Sequence, residues 1–323
     1  MYTAEFVSPM HPDKICDRIS ALILDECLKQ DPNSRVAIET LGGHKKIVIM
    51  GEVTTKAIID FKEIISKEIN DLNFEILVNI ENQSPSIAQG VDIGGAGDQG
   101  IMIGYACLDT KNLIPLEYEL ARNLCKFIFN KYPFDGKTQI TINDDKKITD
   151  IVASFQNVSK DILKSLILSW LQEQNIDFQN INFWINESGD WNQGGFDADT
   201  GLTGRKIVID SYGPRVPVGG GAFSGKDSTK VDLSGALMAR KVAVEILKST
   251  DSKEVLVEVV YVIGKIEPLT VKIKIDGLEI KASDDIVLRF TPQNIIKELE
   301  LKKPRFKELS LWGHFGNDNI WDK

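Results

Sequence analysis

Four stretches of this 323-residue chain carry side chains whose types and spacing suit chemistry on a charged substrate. The first is Val7-Ser8-Pro9-Met10-His11-Pro12-Asp13-Lys14. Pro12 suits the first position of a helix and Asp13 its positive end, which alone would make a well-formed helix start. His11 and Lys14 beside free helix N–H groups would also make an anion site, with Asp13 able to hold a divalent cation on the same anion. The second stretch runs from Gly219 through three glycines to Ser224-Gly225-Lys226-Asp227, and Lys230-Val231-Asp232 follows. Gly220 through Lys226 fits the G-x-x-x-x-G-K of a nucleoside-triphosphate loop. Asp227, however, stands where Ser or Thr should meet magnesium, and no clean strand precedes, so that fold is not expected. The physics survives: glycines let backbone N–H groups approach phosphate, and Lys226, Lys230 and Asp232 suit a polyphosphate with its metal. The plainer alternative is a flexible glycine turn with solvated lysines.

The third stretch is Asp199-Thr200-Gly201-Leu202-Thr203-Gly204-Arg205-Lys206. A forked arginine can bind phosphate bidentately. Arg205 and Lys206 are expected to enter a strand at Ile207-Val208-Ile209, and a surface hairpin with a charged edge is the bland alternative. The fourth is Gly94-Gly95-Ala96-Gly97-Asp98-Gln99-Gly100. Gly95 through Gly100 matches G-x-G-x-x-G, but it precedes a strand rather than following one, so the dinucleotide reading fails on context. A buried Asp98 at this turn could hold an ammonium group, and Gln83 to Gly90 reads as a mobile loop. H-E-x-x-H, G-x-S-x-G and C-x-x-C do not occur, and three scattered histidines (His11, His44, His314) support no zinc site.

These loops need elements to hold them, and the periodicity repeats three times: a helix, two alternating strands, a second helix, a strand. The first unit predicts a helix over 12–29, strands at 35–40 and 46–50, a helix near 56–69 and a strand at 74–78. The second predicts a helix near 116–130, strands at 138–142 and 148–155, a helix near 159–174 and a strand at 181–185. The third predicts a helix near 229–248, strands at 255–263 and 270–275 and a helix near 292–300, with a closing strand that is hard to place. Helices covering one face of mostly antiparallel sheets make the class α+β: three similar units, 1–108, 109–196 and 197–323, around a pseudo-threefold axis.

A hydrophobic fraction of 42% and a charged fraction of 26% exclude a disordered or collagen-like chain. No apolar run approaches the ~18 residues of a membrane span, and the opening Met1-Tyr2-Thr3-Ala4-Glu5-Phe6 lacks the pattern of a signal peptide. A net charge of −9 shows no basic footprint for nucleic acid. Cys16, Cys27, Cys107 and Cys125 read as reduced, buried thiols. The expectation is a cytoplasmic protein with neither nucleic acid nor membrane as partner.

His-Pro-Asp-Lys at 11–14, Gly-Ala-Gly-Asp-Gln-Gly at 95–100, Gly-Leu-Thr-Gly-Arg-Lys at 201–206 and Gly-Gly-Gly-Ala-Phe-Ser-Gly-Lys-Asp at 219–227 occur in order, and Gly313-His314-Phe315-Gly316 lies near the end. Together they closely resemble the S-adenosylmethionine synthetase (methionine adenosyltransferase) family, from about residue 4 to 321. The resemblance implies that methionine sulfur attacks C5′ of ATP, and that the displaced tripolyphosphate is hydrolysed to pyrophosphate and phosphate. By position it implies catalytic roles for His11, Lys137, Arg205 and Lys226. ATP would be bound by these together with Asp135, Asp190, Trp191, Asp199, Lys206 and Ala222. Methionine would be bound by Glu52, Gln83, Asp98, Asp199 and Lys230. Asp13 and Asp232 would hold Mg2+, and Glu39 would hold K+. The resemblance also implies a homodimer or homotetramer whose active sites draw on two subunits. Asp190-Trp191 stands where the family commonly has a basic residue and then an aromatic one, and Gln89 to Gly97 is shorter than usual.

Overall fold

The computed structural model describes residues 1–71, 73–83 and 94–323. The loop read from Gln83 to Gly90 and the shortened segment from Gln89 therefore fall mostly outside the described residues.

Helix α1 (Pro12–Gln30) starts at the proline, as the N1 preference for fixed φ predicts. Its Ile15, Ile19, Leu22 and Ile23 are buried, a stripe at helical spacing that packs on strand β2 (Arg35–Gly43). Helix α2 (Phe61–Ile69) begins five residues later than its periodicity suggested. Asp60 caps it, accepting from the Glu63 N–H at 3.0 Å.

Each described sheet has four strands. One runs β9 (Gly201–Leu202), β2, β3 (Lys46–Thr54) and β4 (Glu75–Glu81). Another runs β1 (Tyr2–Val7), β6 (Gly136–Ile142), β7 (Ile148–Phe155) and β8 (Asn182–Ile185). In both, the last strand joins parallel after a crossover helix, α2 in the first and α4 (Lys160–Glu173) in the second, and the other pairs are antiparallel. The remaining sheet runs β5 (Gly100–Cys107), β10 (Glu254–Tyr261), β11 (Thr270–Ile275) and β12 (Leu278–Lys281), all antiparallel. The strand that was hard to place from sequence is β12. It follows β11 through the tight turn at Asp276-Gly277 and precedes the last helices, so no crossover is needed. The α+β class with three similar, mostly antiparallel units holds.

Three strands of each sheet come from one of the stretches 1–108, 109–196 and 197–323, and the fourth comes from another. Val7 of β1 lies opposite Lys137 of β6, Leu202 of β9 opposite Leu41 of β2, and Met102 of β5 opposite Val259 of β10. Helices α3 (Leu116–Lys131) and α6 (Val231–Ser249) cover the inner faces of the second and third sheets. The strand expected at 207–209 is instead one helical turn, α5 (Ile207–Asp210). β-Branched side chains favour extended backbone only weakly, and contacts decide here: the Tyr118 hydroxyl donates to the Ile209 carbonyl at 2.6 Å, and Asp210 is held by a buried lysine. All four cysteines are buried and unpaired. No helix among the described residues is long and apolar enough to cross a membrane.

Candidate active site

The site begins at the start of α1. His11 is its N-cap, and its Nδ1 accepts the Asp13 N–H at 3.2 Å. A ring whose Nδ1 accepts carries its proton on Nε2. Burial and the nearby Lys206 lower the His11 pKa to about 4, so the ring is a neutral donor near pH 7. Asp13 is 2% exposed. Its Oδ1 accepts the Leu202 N–H at 3.0 Å and has Arg205 Nη1 at 3.6 Å, and its Oδ2 meets Lys206 Nζ at 2.5 Å. Burial alone would raise this carboxyl, but the Lys206 and Leu202 hydrogen bonds outweigh it and hold the pKa below the usual range. Two motifs nearly two hundred residues apart in sequence thus meet at one carboxylate.

Lys137 and Asp199 act electrostatically on the same imidazole, and Asp135 feels both of them. Asp135 is largely buried and accepts the Gly195 N–H at 2.9 Å. Burial keeps its pKa raised. Trp191 lies beside this group, its indole N–H donating to Ser154 Oγ at 2.9 Å. Asp190 does not join it. Its Oδ1 accepts the Lys160 N–H at 2.8 Å and the Asn186 side-chain amide at 3.1 Å, which ties it to the start of α4, whose N-cap is Ser159.

A second group gathers on the glycine loop where it docks against β2. Lys226 bridges to Ala37, and Gly225 O accepts the Ile38 N–H at 3.0 Å. Lys226 Nζ meets Asp232 Oδ2 at 2.5 Å in the first turn of α6. A Cβ on Gly221 would fall 2.2 Å from the Asp232 carboxyl carbon, so glycine is required for that approach. Burial raises the Glu39 pKa against the pull of Lys226, and Glu52 on β3 adds to the rise. Gln83 sits at the end of β4, where its N–H donates to Thr54 Oγ1 at 3.2 Å and its Oε1 accepts from Arg35 at 3.5 Å. Lys230 is tied to Asp227, whose Oδ2 also accepts the Val36 N–H at 2.7 Å. The i,i+3 spacing of Asp227 and Lys230 was the available signal for that pair. Asp98, expected to be buried, is exposed: its turn lies at the surface and its Oδ1 accepts the neighbouring Gln99 N–H at 2.8 Å.

The two groups touch where Ala222 abuts Gly204. A Cβ on Gly204, whose φ is +84°, would come within 2.5 Å of the Ala222 Cβ. Among the described residues no ion pair joins the Asp13 set to the Asp232 set. Lys14 is the main correction to the sequence reading: it is 1% exposed and turned inward, and belongs to no anion site. Each group presents fixed cations that suit part of a polyanion, and a neutral imidazole donor stands beside the first.

The chain matches three family descriptions in succession: S-adenosylmethionine synthetase, N-terminal domain, over residues 1–92, central domain over 93–191 and C-terminal domain over 193–323. It is 38% identical to the S-adenosylmethionine synthase of Fusobacterium nucleatum and 39% identical to that of Brachyspira hyodysenteriae. In each case the match covers 100% of this chain and 95% of the relative. Its fold matches that of an unusual S-adenosylmethionine synthetase from Campylobacter jejuni with a TM-score of 0.89 at 30% identity, covering 100% of this chain and 96% of that one.

Proposed function

Because the chain belongs to the S-adenosylmethionine synthetase family, we propose that its two cation-bearing loops, each from a different copy of the chain, close on one ATP and one methionine. An enzyme of this type is a methionine adenosyltransferase, and ATP and methionine are its substrates. The stretches 1–108, 109–196 and 197–323 are its three units in this reading.

The reaction places its demand on the leaving group. Sulfur attacks C5′ of ATP and a tripolyphosphate departs with several negative charges, so the protein must supply fixed positive charge and donors on that side. Arg205, Lys206 and Lys137 do this from one group, and Lys226 from the other. His11 Nε2–H donates to the departing oxygen. Asp135, Asp199 and Trp191 hold the nucleoside. Glu52, Gln83 and Asp98 receive methionine, with its ammonium group on a carboxylate, so that sulfur lies in line with C5′. The tripolyphosphate is then cleaved to pyrophosphate and phosphate within the same cationic enclosure. No nucleophilic side chain is needed.

Mg2+ is a small, hard ion bound through one or two carboxylates plus substrate phosphates and water. Asp13 and Asp232 are single carboxylates, each already facing an ammonium group, and among the described residues no cluster of three or more His, Cys, Asp or Glu occurs. That donor set fits metal delivered with the nucleotide. When bound, Mg2+ supplies positive charge on phosphate oxygens. Glu39 would hold K+.

The outward face of the β9-β2-β3-β4 sheet supports a two-copy site. Leu41, Met50, Leu77 and Leu202 are 44%, 50%, 48% and 37% exposed there, beside Glu39 and Glu52 on the same face. Apolar surface of this kind next to functional carboxylates is what a second copy would cover.

The observation that carries the reading is the Asp13 cluster, which joins the start of α1 to the Arg205–Lys206 turn. The test is product analysis with ATP, magnesium, potassium and labelled methionine. The expected products are a labelled sulfonium, pyrophosphate and phosphate. Equal ATP consumption without methionine, and no sulfonium, would defeat the reading.

A further inference from the structure

Lys14 follows the proposed metal ligand in sequence, yet its ammonium group lies wholly inside the protein. It reaches Asp17 Oδ2 at 3.0 Å and Asp210 Oδ1 at 2.5 Å, and all three side chains are no more than 2% exposed. A buried charge is tolerated only when paired and hydrogen-bonded. Asp17 and Asp210, on either side of the Lys14 ammonium group, meet that condition.

What this cluster grips is the turn that carries Arg205 and Lys206. Asp17 Oδ1 accepts the Gly204 N–H at 2.8 Å, one helical turn beyond Asp13, whose Oδ1 accepts the Leu202 N–H. Asp210 lies at the far end of the same segment, in α5. Residues 202–210 are therefore pinned to α1 at three points: Leu202 by Asp13, Gly204 by Asp17, and Asp210 by Lys14. Arg205 and Lys206 project from the middle of the span. A second contact reaches the same place, because the His314 N–H donates to the Asp210 carbonyl at 2.9 Å. The His314 ring packs edge-on against Phe223 of the glycine loop with centroids 4.9 Å apart.

We infer that Lys14 and Asp17 are positioning residues for the adenosyl transfer, setting Arg205 and Lys206 on the polyphosphate through the Gly204 N–H. They touch neither substrate. The inference rests on the function proposed above and adds to it a pair of residues at the back of the site. The geometry explains why a lysine is placed here at all. A neutral residue at position 14 would leave Asp17 and Asp210 as two adjacent buried carboxylates. One of them would then take up a proton or turn away, and Gly204 would lose its acceptor.

The test compares Lys14→Met, Asp17→Asn and the double variant with the unaltered chain, measuring kcat, the KM values for ATP and methionine, and cooperative unfolding. Lys14→Met should lower kcat at least about tenfold, in the range of a mispositioned reactant contact, and raise the KM for ATP. The KM for methionine should change less than that for ATP, because Glu52, Gln83 and Asp98 lie on other elements. The double variant removes the buried negative charge at position 17 while the introduced amide oxygen still accepts from Gly204, so it should recover part of the lost kcat. A folded Lys14→Met with unchanged kcat and KM for ATP overturns the inference. So does a double variant no better than the single, since that is the mark of lost packing alone. If Lys14→Met does not unfold cooperatively, Asp17→Asn alone decides. Its amide can satisfy Gly204 or Lys14 but not both, so kcat should fall, and unchanged kinetics overturn the inference. An unaltered chain that makes no sulfonium product would instead refute the proposed function.

Discussion

Lys206 Nζ lies 2.5 Å from Asp13 Oδ2, although the two residues are 193 positions apart in the chain. This contact brings the helix start and the arginine-lysine turn to one place. It also sets the competition at the site, since a cation arriving on Asp13 must share that carboxylate with Lys206 and, at 3.6 Å, with Arg205.

Asp13→Asn should raise the magnesium concentration needed for half-maximal rate by about tenfold, because a charge-assisted contact of ~1.5 kcal/mol is worth about one decade. A magnesium titration checks it. Superimposable curves would remove Asp13 from the metal site.

Lys226→Met should lower the turnover number by about 100-fold to 1,000-fold, the loss of ~2.7–4 kcal/mol seen when one preorganised donor to a developing anion is removed. Steady-state kinetics at saturating substrates measure it. An unchanged turnover number would show that Lys226 does not face the reacting phosphates.

The stability that His11 and His314 contribute should fall as pH drops below about 6.5. Burial lowers His11 to about 4 and His314 to about 3, so between the ordinary histidine value and those values the unfolded chain binds protons that the native chain refuses. Each histidine then contributes a slope of up to ~1.4 kcal/mol per pH unit, with stability retained above pH 6.5 and lost on acidification. Urea unfolding from pH 4.5 to 6.5 should give a shallower slope for His314→Asn than for the unaltered chain. Equal slopes would show that His314 takes up no proton on unfolding.

Asp190→Ala should destabilise the fold by ~1 kcal/mol, the usual net worth of a lost hydrogen bond, because the Lys160 N–H and the Asn186 amide lose their acceptor, and loosen the loop that carries Trp191. Urea unfolding and the KM for ATP report the two effects separately. A raised KM with unaltered stability would return Asp190 to the nucleotide contact its position first suggested.

The helices and most strands were legible because their apolar residues recur at 3.6 or 2, and Pro12 marked the start of α1. Pairing was not legible. Nothing local in Tyr2–Val7 says that it lies against Gly136–Ile142, nor that Gly100–Cys107 lies against Glu254–Tyr261, because strand partners are chosen by burial across distant segments. Ile207-Val208-Ile209 read as a strand on its β-branched side chains, and tertiary contacts made it a helical turn. His11, Asp13, Arg205 and Lys206 were legible as polar singularities in glycine-rich loops. Lys14 was misread because direction, not type, decides its role: it points to the core, where Asp17 and Asp210 carry no motif of their own. Asp98 was misread as buried because a glycine turn fixes backbone shape and not depth.

In the proposed function, one active site is completed by the Asp13 group of one chain and the Asp232 group of another. Arg205→Met disables the first group and Lys226→Met the second, so each variant alone should be nearly inactive. Co-expressed in equal amounts, they should form hybrid dimers in which one site has both defects and the other has none, restoring about one quarter of the unaltered activity. Mixed product no more active than the separate variants, with hybrid dimers confirmed by mass, would show that the two groups of one site do not come from different chains.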